Sequence, residues 1–257
     1  MRVLPVVLLV LLVAAGLGLQ QHLTRQIDLE GPHVLAAASD GGFYLATGTR
    51  LYRLDERERV VARYEAAQLG VGRFDSLLAG TQGRLWVYDS EARRVLVCDL
   101  PVPCTPFDAG QTAFSANAIL AERPAGQGLL LSDNRHHRLQ ALDAQGQVQS
   151  HPLQTGWRFP NQISAWQGDW LLADTDRRQL IKVVADVQGR PARRELFLQA
   201  EGRPYRFVVR PDGIWTVEAG LSLNDGQLYR YRDGRREAVP TGASDVGALI
   251  EVGGKLV

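Results

Sequence analysis

One motif recurs along the chain at intervals of 41 to 44 residues, and this period constrains the fold more than any other feature. In each copy a short apolar run ends in an acidic or hydroxyl residue, as in LWVYD, LLLSD and WLLAD. The residues that end the copies are, in chain order, Thr47, Asp89, Asp133, Asp174 and Glu218. A repeat of about 40–45 residues has room for four short strands, which is the size of a β-propeller blade.

The sequence between the motifs agrees with an all-β fold. Turn-forming stretches such as SDGG, TQGR, DAQG and NDGQ separate the apolar runs. No long 3.6-residue hydrophobic period follows the N-terminal segment. We therefore predict a six-bladed β-propeller over residues 22–257. The expected blades span about 31–64, 65–107, 108–152, 153–197 and 198–240, with an incomplete sixth at 241–257.

The sixth unit is short. It opens at Ser244 and has reached only its second strand at Val257. The alternating segment LTRQIDL, residues 23–29, is predicted to complete the last blade as an N-terminal strand. Because one repeat takes about 40–45 residues, we expect this sequence to be the front part of a longer protein that has a few tens of residues more.

The N-terminus carries a targeting segment. Residues 3–19, VLPVVLLVLLVAAGLGL, contain no charged or strongly polar side chain. This length exceeds the usual signal-peptide core of about 7–15 residues and falls just below the roughly 18–20 of a spanning helix. A signal peptide and an uncleaved anchor over residues 1–21 are both open, and the apolar run beyond Val13-Ala14-Ala15 favours the anchor. The positive charge of Arg2 lies in the short segment before the apolar run and should stay on the cytoplasmic side. We therefore expect a membrane-anchored or secreted propeller on the exported (periplasmic) side of the cell envelope.

Charge and cysteine content narrow the partners and the compartment. The net charge is +1, which argues against a nucleic-acid partner because phosphate binding needs a concentrated basic face. Cys98 and Cys104 bracket the Pro-rich turn CDLPVPC. In an exported chain with an even cysteine count we predict a disulfide, with two free thiols as the alternative.

Adjacent histidines, His136 and His137, lie in a slot of the repeat. Four residues after the motif aspartate, Arg93, His137 and Arg178 occupy the same position. Neighbouring side chains on a strand point to opposite faces, and zinc takes three or four convergent ligands. The pair is therefore interpreted as part of a turn and not as a metal site.

The segments WLLADTDRRQLIKV and LLLSDNRHHRLQALDAQGQ resemble the NHL-type propeller repeat. More specifically, residues 23–257 resemble the calcium-dependent gluconolactonase and senescence-marker lactonase family and its strictosidine-synthase-like relatives. The resemblance implies a six-bladed propeller with a metal site at one mouth of the central channel. It also implies hydrolysis of lactones or related esters.

The resemblance assigns roles to four positions. Glu30 in LEGPH and Asn161 in FPNQ stand where the family has metal ligands, and Asn117 in FSANAIL stands where it contacts substrate. In the fifth blade the family has a carboxylate that binds calcium and transfers protons. Here Tyr205 occupies that position, with Arg206 beside it. Since calcium takes 6–8 oxygen ligands and relies on carboxylate charge, this replacement weakens the expected calcium site.

The residues that open each blade form a ring at one mouth of the channel, because the innermost strands of a propeller surround its axis. Such a ring suits either a polar small ligand or a water-filled, salt-bridged channel. The predicted ring consists of Glu30 or His33, Asp75, Asn117, Asn161, Arg206 and Asp245.

Two functions follow from these patterns. The first is an exported, membrane-tethered propeller that binds a protein or a polar ligand in the cell envelope, favoured by the missing fifth-blade carboxylate. The second is a divalent-metal-dependent hydrolase of lactones or related esters, favoured by Glu30, Asn117 and Asn161 in family order. No G-x-S-x-G, H-E-x-x-H, P-loop or Rossmann motif supports another common enzyme class.

Overall fold

The computed structural model describes residues 33–107, 118–220, 226–241, 246, 248–252 and 255–256. Within this part of the chain, 22 strands form five four-stranded sheets and one two-stranded sheet. Its helices are four short 3₁₀ turns, at Ala66–Leu69, Thr81–Gly83, Pro124–Gly126 and Thr175–Arg177. The prediction of an all-β propeller is confirmed.

The five sheets are the blades, and each is an antiparallel meander of consecutive strands. Blade 1 comprises β1 (His33–Ala37), β2 (Phe43–Thr47), β3 (Arg50–Leu54) and β4 (Val60–Glu65). Blade 2 comprises β5 (Ser76–Ala79), β6 (Leu85–Asp89), β7 (Arg94–Cys98) and β8 (Thr105–Pro106). Blade 3 comprises β9 (Ala118–Glu122), β10 (Leu129–Asp133), β11 (Arg138–Leu142) and β12 (Val148–Gln149).

The later blades have longer strands. Blade 4 comprises β13 (Pro160–Trp166), β14 (Asp169–Asp174), β15 (Gln179–Ala185) and β16 (Pro191–Gln199). Blade 5 comprises β17 (Arg203–Arg210), β18 (Gly213–Ala219), β19 (Gln227–Arg232) and β20 (Arg235–Ala238). The two-stranded sheet consists of β21 (Glu251–Val252) and β22 (Lys255–Leu256).

The first strand of each blade faces the axis, since β1, β5, β9, β13 and β17 contact one another in that order. The C-terminal segment lies between blades 5 and 1. Val252 packs with Phe43 and Tyr52 of blade 1, whereas Leu249 packs with Val217 of blade 5. The described residues therefore hold five complete blades with a two-stranded sheet between the last and the first, and the predicted count of six is not confirmed.

The core lies between neighbouring blades. Leu51 of blade 1 packs in one cluster with Val87 of blade 2, and Leu139 of blade 3 packs in another with Trp170 of blade 4. All four side chains are fully buried. Apolar contact between sheet faces is thus what joins the blades.

The repeated residue at the end of each second strand is buried, and in blades 2 and 4 it fixes the loop that leads into its own blade. Asp89 accepts hydrogen bonds from the Gly72 and Arg73 backbone N–H groups, at 2.8 and 3.3 Å. Asp174 accepts one from the Arg158 backbone N–H, at 2.6 Å, and pairs with Arg177 at 2.8 Å. Burial raises the pKa of Asp174, and these partners act in the opposite direction. The 41-to-44-residue period therefore marks a structural carboxylate in these blades.

The slot four residues later is a left-handed turn position. Arg93, His137 and Arg178 have φ angles of 53°, 53° and 57°. His137 Nδ1 accepts a hydrogen bond from the Phe159 backbone N–H at 2.9 Å, and His136 Nδ1 lies 2.8 Å from Asp133 Oδ2. The two rings have different partners, so the geometry of the repeat explains why histidine stands here.

The predicted disulfide between Cys98 and Cys104 is present. It closes the loop between β7 and β8, and the Cys104 backbone N–H donates to the Leu69 carbonyl at 2.9 Å. The hydrophobic helix predicted at residues 3–19 and the strand predicted at 23–29 lie outside the described residues. Within those residues, none of the helices has the length and apolar character needed to span a membrane.

Candidate ligand cavity on the propeller axis

A cavity of about 500 Å³ lies on the axis, enclosed by the inner strands. Its walls come from β1, β5, β9 and β13, with Arg206 of β17 and residues 248–250 completing them. Each of the first four inner strands places alanine on this wall, as at Ala37, Ala79, Ala121 and Ala165. Short side chains at these positions leave the space open. A concave, mostly apolar wall with few polar groups is typical of small-ligand sites.

Arg206 is the cation of this cavity. It belongs to β17, just after an irregularity in the pairing of β17 with β18 between Pro204 and Arg206. Its Nη1 donates to the Tyr205 carbonyl at 3.0 Å, and its guanidinium carbon lies 5.7 Å from the Tyr205 ring centroid. Among the described residues no carboxylate lies within ion-pair distance of Arg206. Burial lowers the pKa of Arg206, but a guanidinium stays protonated at neutral pH.

Gln162, which the sequence analysis did not single out, positions the strand that carries Arg206. Its Oε1 accepts from the Phe207 backbone N–H at 2.7 Å, and its Nε2 donates to the Phe207 carbonyl at 2.9 Å. The same Nε2 lies 2.9 Å from Ser164 Oγ. The side chain thus links β13 to β17 at the cavity wall. The available sequence signal was its place next to Asn161 at the start of an inner strand.

Glu122 lies at the other end of the cavity, at the last residue of β9. Its carboxylate accepts hydrogen bonds from the Thr81 backbone N–H at 3.0 Å and from Trp86 Nε1 at 3.1 Å. Arg206 lies in the first half of β17, where it pairs with Val217 close to the end of β18, whereas Glu122 is the last residue of β9. Because the inner strands run in the same direction, the two charges face opposite ends of the cavity.

Tyr205 joins blade 5 to the C-terminal segment. It is buried beside Val217 and Leu249, and its hydroxyl donates to the Val246 carbonyl. The phenol that stands where the resemblance expects a carboxylate is therefore part of a contact between elements.

Asn161 is buried in a chain of hydrogen bonds that crosses three blades. Its Oδ1 accepts from Asn134 Nδ2 at 3.1 Å, and its Nδ2 donates to Thr175 Oγ1 at 2.8 Å. The Thr175 hydroxyl in turn donates to the Pro204 carbonyl at 2.7 Å. Both polar atoms of the Asn161 amide have protein partners, and metal binding by Asn161 stays a prediction.

Asp75 precedes β5 and is held by contacts within blade 2 and the loop that leads into it. Its Oδ2 accepts from the Ser90 backbone N–H at 3.0 Å, and its Oδ1 lies 3.1 Å from Arg73 Nε. Glu30, Asn117 and Asp245 lie outside the described residues, as does the side chain of His33. Among the residues that the structure does describe, no group of three or more His, Cys, Asp or Glu side chains is placed to hold a metal ion.

A second buried cation, Arg123, lies outside the cavity between blades 3 and 4. Its Nε donates to the Gly189 carbonyl at 2.9 Å, and its Nη2 donates to the Gln188 carbonyl at 3.0 Å. Its Nη1 donates to the Leu142 carbonyl at 3.0 Å and to Gln149 Oε1 at 2.9 Å. Only 3% of Arg123 is exposed. It binds the turn after β9 to the β15–β16 hairpin of the next blade.

Comparisons with known proteins define the class. No family model matches the chain, and no curated protein matches it. A streptogramin B lyase structure aligns with a TM-score of 0.61 and 16% identity over 84% of this chain and 71% of that one. A chain of a nidogen–laminin complex aligns with a TM-score of 0.64 and 14% identity over 84% and 83%. A putative gluconolactonase aligns with a TM-score of 0.59 and 12% identity over 84% and 80%.

These likenesses, together with the sheet topology, identify the chain as a β-propeller. The structural neighbours are propellers of different functions, including lyases, a gluconolactonase-like protein and a chain of a nidogen–laminin complex. At identities of 12–16% they show the fold alone.

Proposed function

We propose that this chain is a ligand-binding β-propeller of the cell envelope, exported and tethered to the membrane through residues 3–19. The observation that carries the proposal is the axial cavity of about 500 Å³, whose apolar wall holds a guanidinium with no carboxylate partner among the described residues. A preformed cavity with one strong donor suits capture of a small molecule that carries a polar group. A protein partner on one face of the propeller is the other occupant that the sequence allows.

The second candidate is the metal-dependent hydrolase of lactones or related esters, with calcium as its metal. Glu30, Asn117 and Asn161 in family order favour it. The contacts of Tyr205 and Asn161 favour the binding module instead, because the phenol and the amide are both engaged in links between elements. A calcium site built on Glu30 would need other oxygen ligands.

A thermal unfolding scan of the full chain in lipid nanodiscs, with calcium and then with excess chelator, separates these functions. A ligand that binds only the folded state stabilises it by about 2.7 kcal/mol at a hundredfold excess over Kd. We expect the same midpoint with calcium and with chelator. A calcium-dependent rise that is lost in Glu30→Gln would instead support the hydrolase and direct the work to lactone substrates.

Cell fractionation tests the tether and the compartment. We expect the full chain in the membrane fraction, cleaved by protease added from the exported side. A variant in which residues 3–19 are replaced by a cleavable signal peptide should move to the soluble envelope fraction. A full chain that stays inside the cell would contradict this part of the proposal.

A further inference from the structure

Arg206 is held in a setting that leaves most of its hydrogen-bonding capacity unused. A guanidinium carries five N–H donors, and among the described residues Arg206 gives one hydrogen bond to protein, to the Tyr205 carbonyl. Its side chain lines the axial cavity and is half buried, which leaves donors for a ligand in that space. A cation that is partly removed from water and has no counter-charge attracts an anion more strongly than it would in bulk water.

The cavity wall defines the rest of the ligand. Beyond Arg206 the lining is mainly alanine, valine, leucine and isoleucine, with serine hydroxyls at Ser76 and Ser164. The β5 wall, Ser76–Ala79, covers three residue steps, or about 10 Å of strand. An apolar body of that length can lie along the axis out of water, which is favourable in proportion to the area that it buries.

Charge at the two ends selects a ligand with one anionic group. Glu122, at the far end from Arg206, adds negative charge near the place where a second anionic group of an extended ligand would lie. A planar guanidinium fork matches a carboxylate with two parallel N–H···O bonds. A phosphate dianion with no apolar body would leave the apolar wall unused and meet only one cation.

We propose that the axial cavity binds an amphiphilic monocarboxylate, with its carboxylate on Arg206 and its apolar body along the alanine-rich wall toward Glu122. The inference rests on the proposed binding function and names its ligand class. Gln162 acts as a positioning residue, because it fixes Phe207, the neighbour of Arg206, to β13 through both backbone groups.

Isothermal titration calorimetry on the full chain in phosphatidylcholine nanodiscs tests the proposal, with empty nanodiscs as the blank. The probes are 4-phenylbutanoate, the neutral 4-phenylbutan-1-ol, and inorganic phosphate. We expect 4-phenylbutanoate to bind at least tenfold more tightly than the alcohol or phosphate. Arg206→Gln should weaken the binding of 4-phenylbutanoate at least tenfold. The affinity of Arg206→Lys should lie between those of wild type and Arg206→Gln, since lysine keeps the charge but not the two parallel N–H donors.

Several results would overturn the proposal. Equal binding of 4-phenylbutanoate to wild type and to an Arg206→Gln variant with a wild-type melting midpoint would remove Arg206 from the site. Equal binding of the alcohol would remove the anionic requirement, and tighter binding of phosphate would remove the apolar body. If 4-phenylbutanoate does not bind and calcium has no effect on unfolding, this ligand class is wrong while the binding module stands. If it does not bind and calcium stabilises the fold, both proposals fail.

Discussion

Arg123 and Arg206 are two enclosed cations without an ion-pair partner among the described residues, and they differ in what surrounds their donors. Arg123 is 3% exposed and gives four hydrogen bonds, to the carbonyls of Leu142, Gln188 and Gly189 and to the Gln149 side chain. Arg206 gives one, to the carbonyl of Tyr205, and faces a cavity. Neutral carbonyl oxygens can satisfy a buried guanidinium as hydrogen-bond acceptors, as they do for Arg123.

The number of protein acceptors around each guanidinium, and not its charge, separates the structural role of Arg123 from the binding role of Arg206. Both side chains carry the same group, and burial lowers the pKa of both. Where protein acceptors surround the donors, the arginine joins two blades. Where they are absent, the donors remain for a ligand. Mutations should therefore affect stability at one site and affinity at the other.

The largest effect is expected at Arg123. Replacing it with methionine, Arg123→Met, removes the donor that serves four buried or half-buried acceptors, and we expect a loss of about 4 kcal/mol in the free energy of unfolding. The measurement is urea unfolding followed by tryptophan fluorescence. Arg59→Met is the matched control, because Arg59 makes an ion pair with Asp55 in a hairpin turn where solvent screens the charges, so its loss should change the free energy of unfolding far less. Equal losses in both variants would contradict the structural role of Arg123.

Gly128 tests the same contact through the backbone. It has φ = 108°, and a Cβ there would meet the Leu142 carbonyl, which accepts from Arg123. Gly128→Ala should cost about 3 kcal/mol through strain and displacement of that acceptor. Gly126→Ala in the same loop is the control, since φ there is 69° and no atom lies within 4 Å of the added Cβ. That control should cost about 1 kcal/mol. Identical melting midpoints for the two variants would count against the proposed contact.

The pH dependence of stability should report on His151, a buried ring in the segment between blades 3 and 4. Burial lowers its pKa from 6.5 to about 4, and the charge of Arg123 acts in the same direction. The neutral ring is favoured by folding, so this contribution is complete above about pH 6.5 and is lost as the pH falls toward 4. Between pH 7.5 and pH 5 the loss should be about 2 kcal/mol. In His151→Leu the decline over this window should be smaller by that amount, as measured by urea unfolding at each pH. An unchanged decline would exclude His151 as its source.

The smallest stability effect is expected at Arg206. Arg206→Gln removes a cation that has one protein hydrogen bond, so the free energy of unfolding should change by less than about 1 kcal/mol. The melting midpoint in nanodiscs without added ligand gives this value. A loss as large as that of Arg123→Met would show that Arg206 is a structural cation, and the contrast between the two arginines would not hold.

The fold followed from local information. The 41-to-44-residue period in the sequence marks the ends of second strands, and in blades 2 and 4 the buried carboxylates Asp89 and Asp174 bind a loop 16 or 17 residues earlier in the same unit. The shared repeat position of Arg93, His137 and Arg178 could also be recognised in the sequence, because the same left-handed turn recurs in three blades. The disulfide between Cys98 and Cys104 was predicted from the compartment and the even cysteine count and is confirmed.

The site was less predictable because its chemistry depends on contacts between blades. Sequence placed Asn161 and Arg206 at the openings of inner strands, yet it did not show that the Asn161 amide binds Asn134 and Thr175. Arg123 escaped notice, since its acceptors at Gln188 and Gly189 lie 65 and 66 residues further along the chain. No sequence period records such a pairing. The metal roles of Glu30 and Asn161 stay predictions.

The carboxylates that close blades 2 and 4 on themselves also bear on how the chain folds. Asp89 and Asp174 reach back only 16 or 17 residues, so their hydrogen bonds can form within one unit before the next blade is in place. Links such as that from Gln162 to Phe207 span 45 residues and must wait for the next blade. The short links therefore favour folding one sheet at a time, whereas the axial cavity needs inner strands from several blades before it is enclosed.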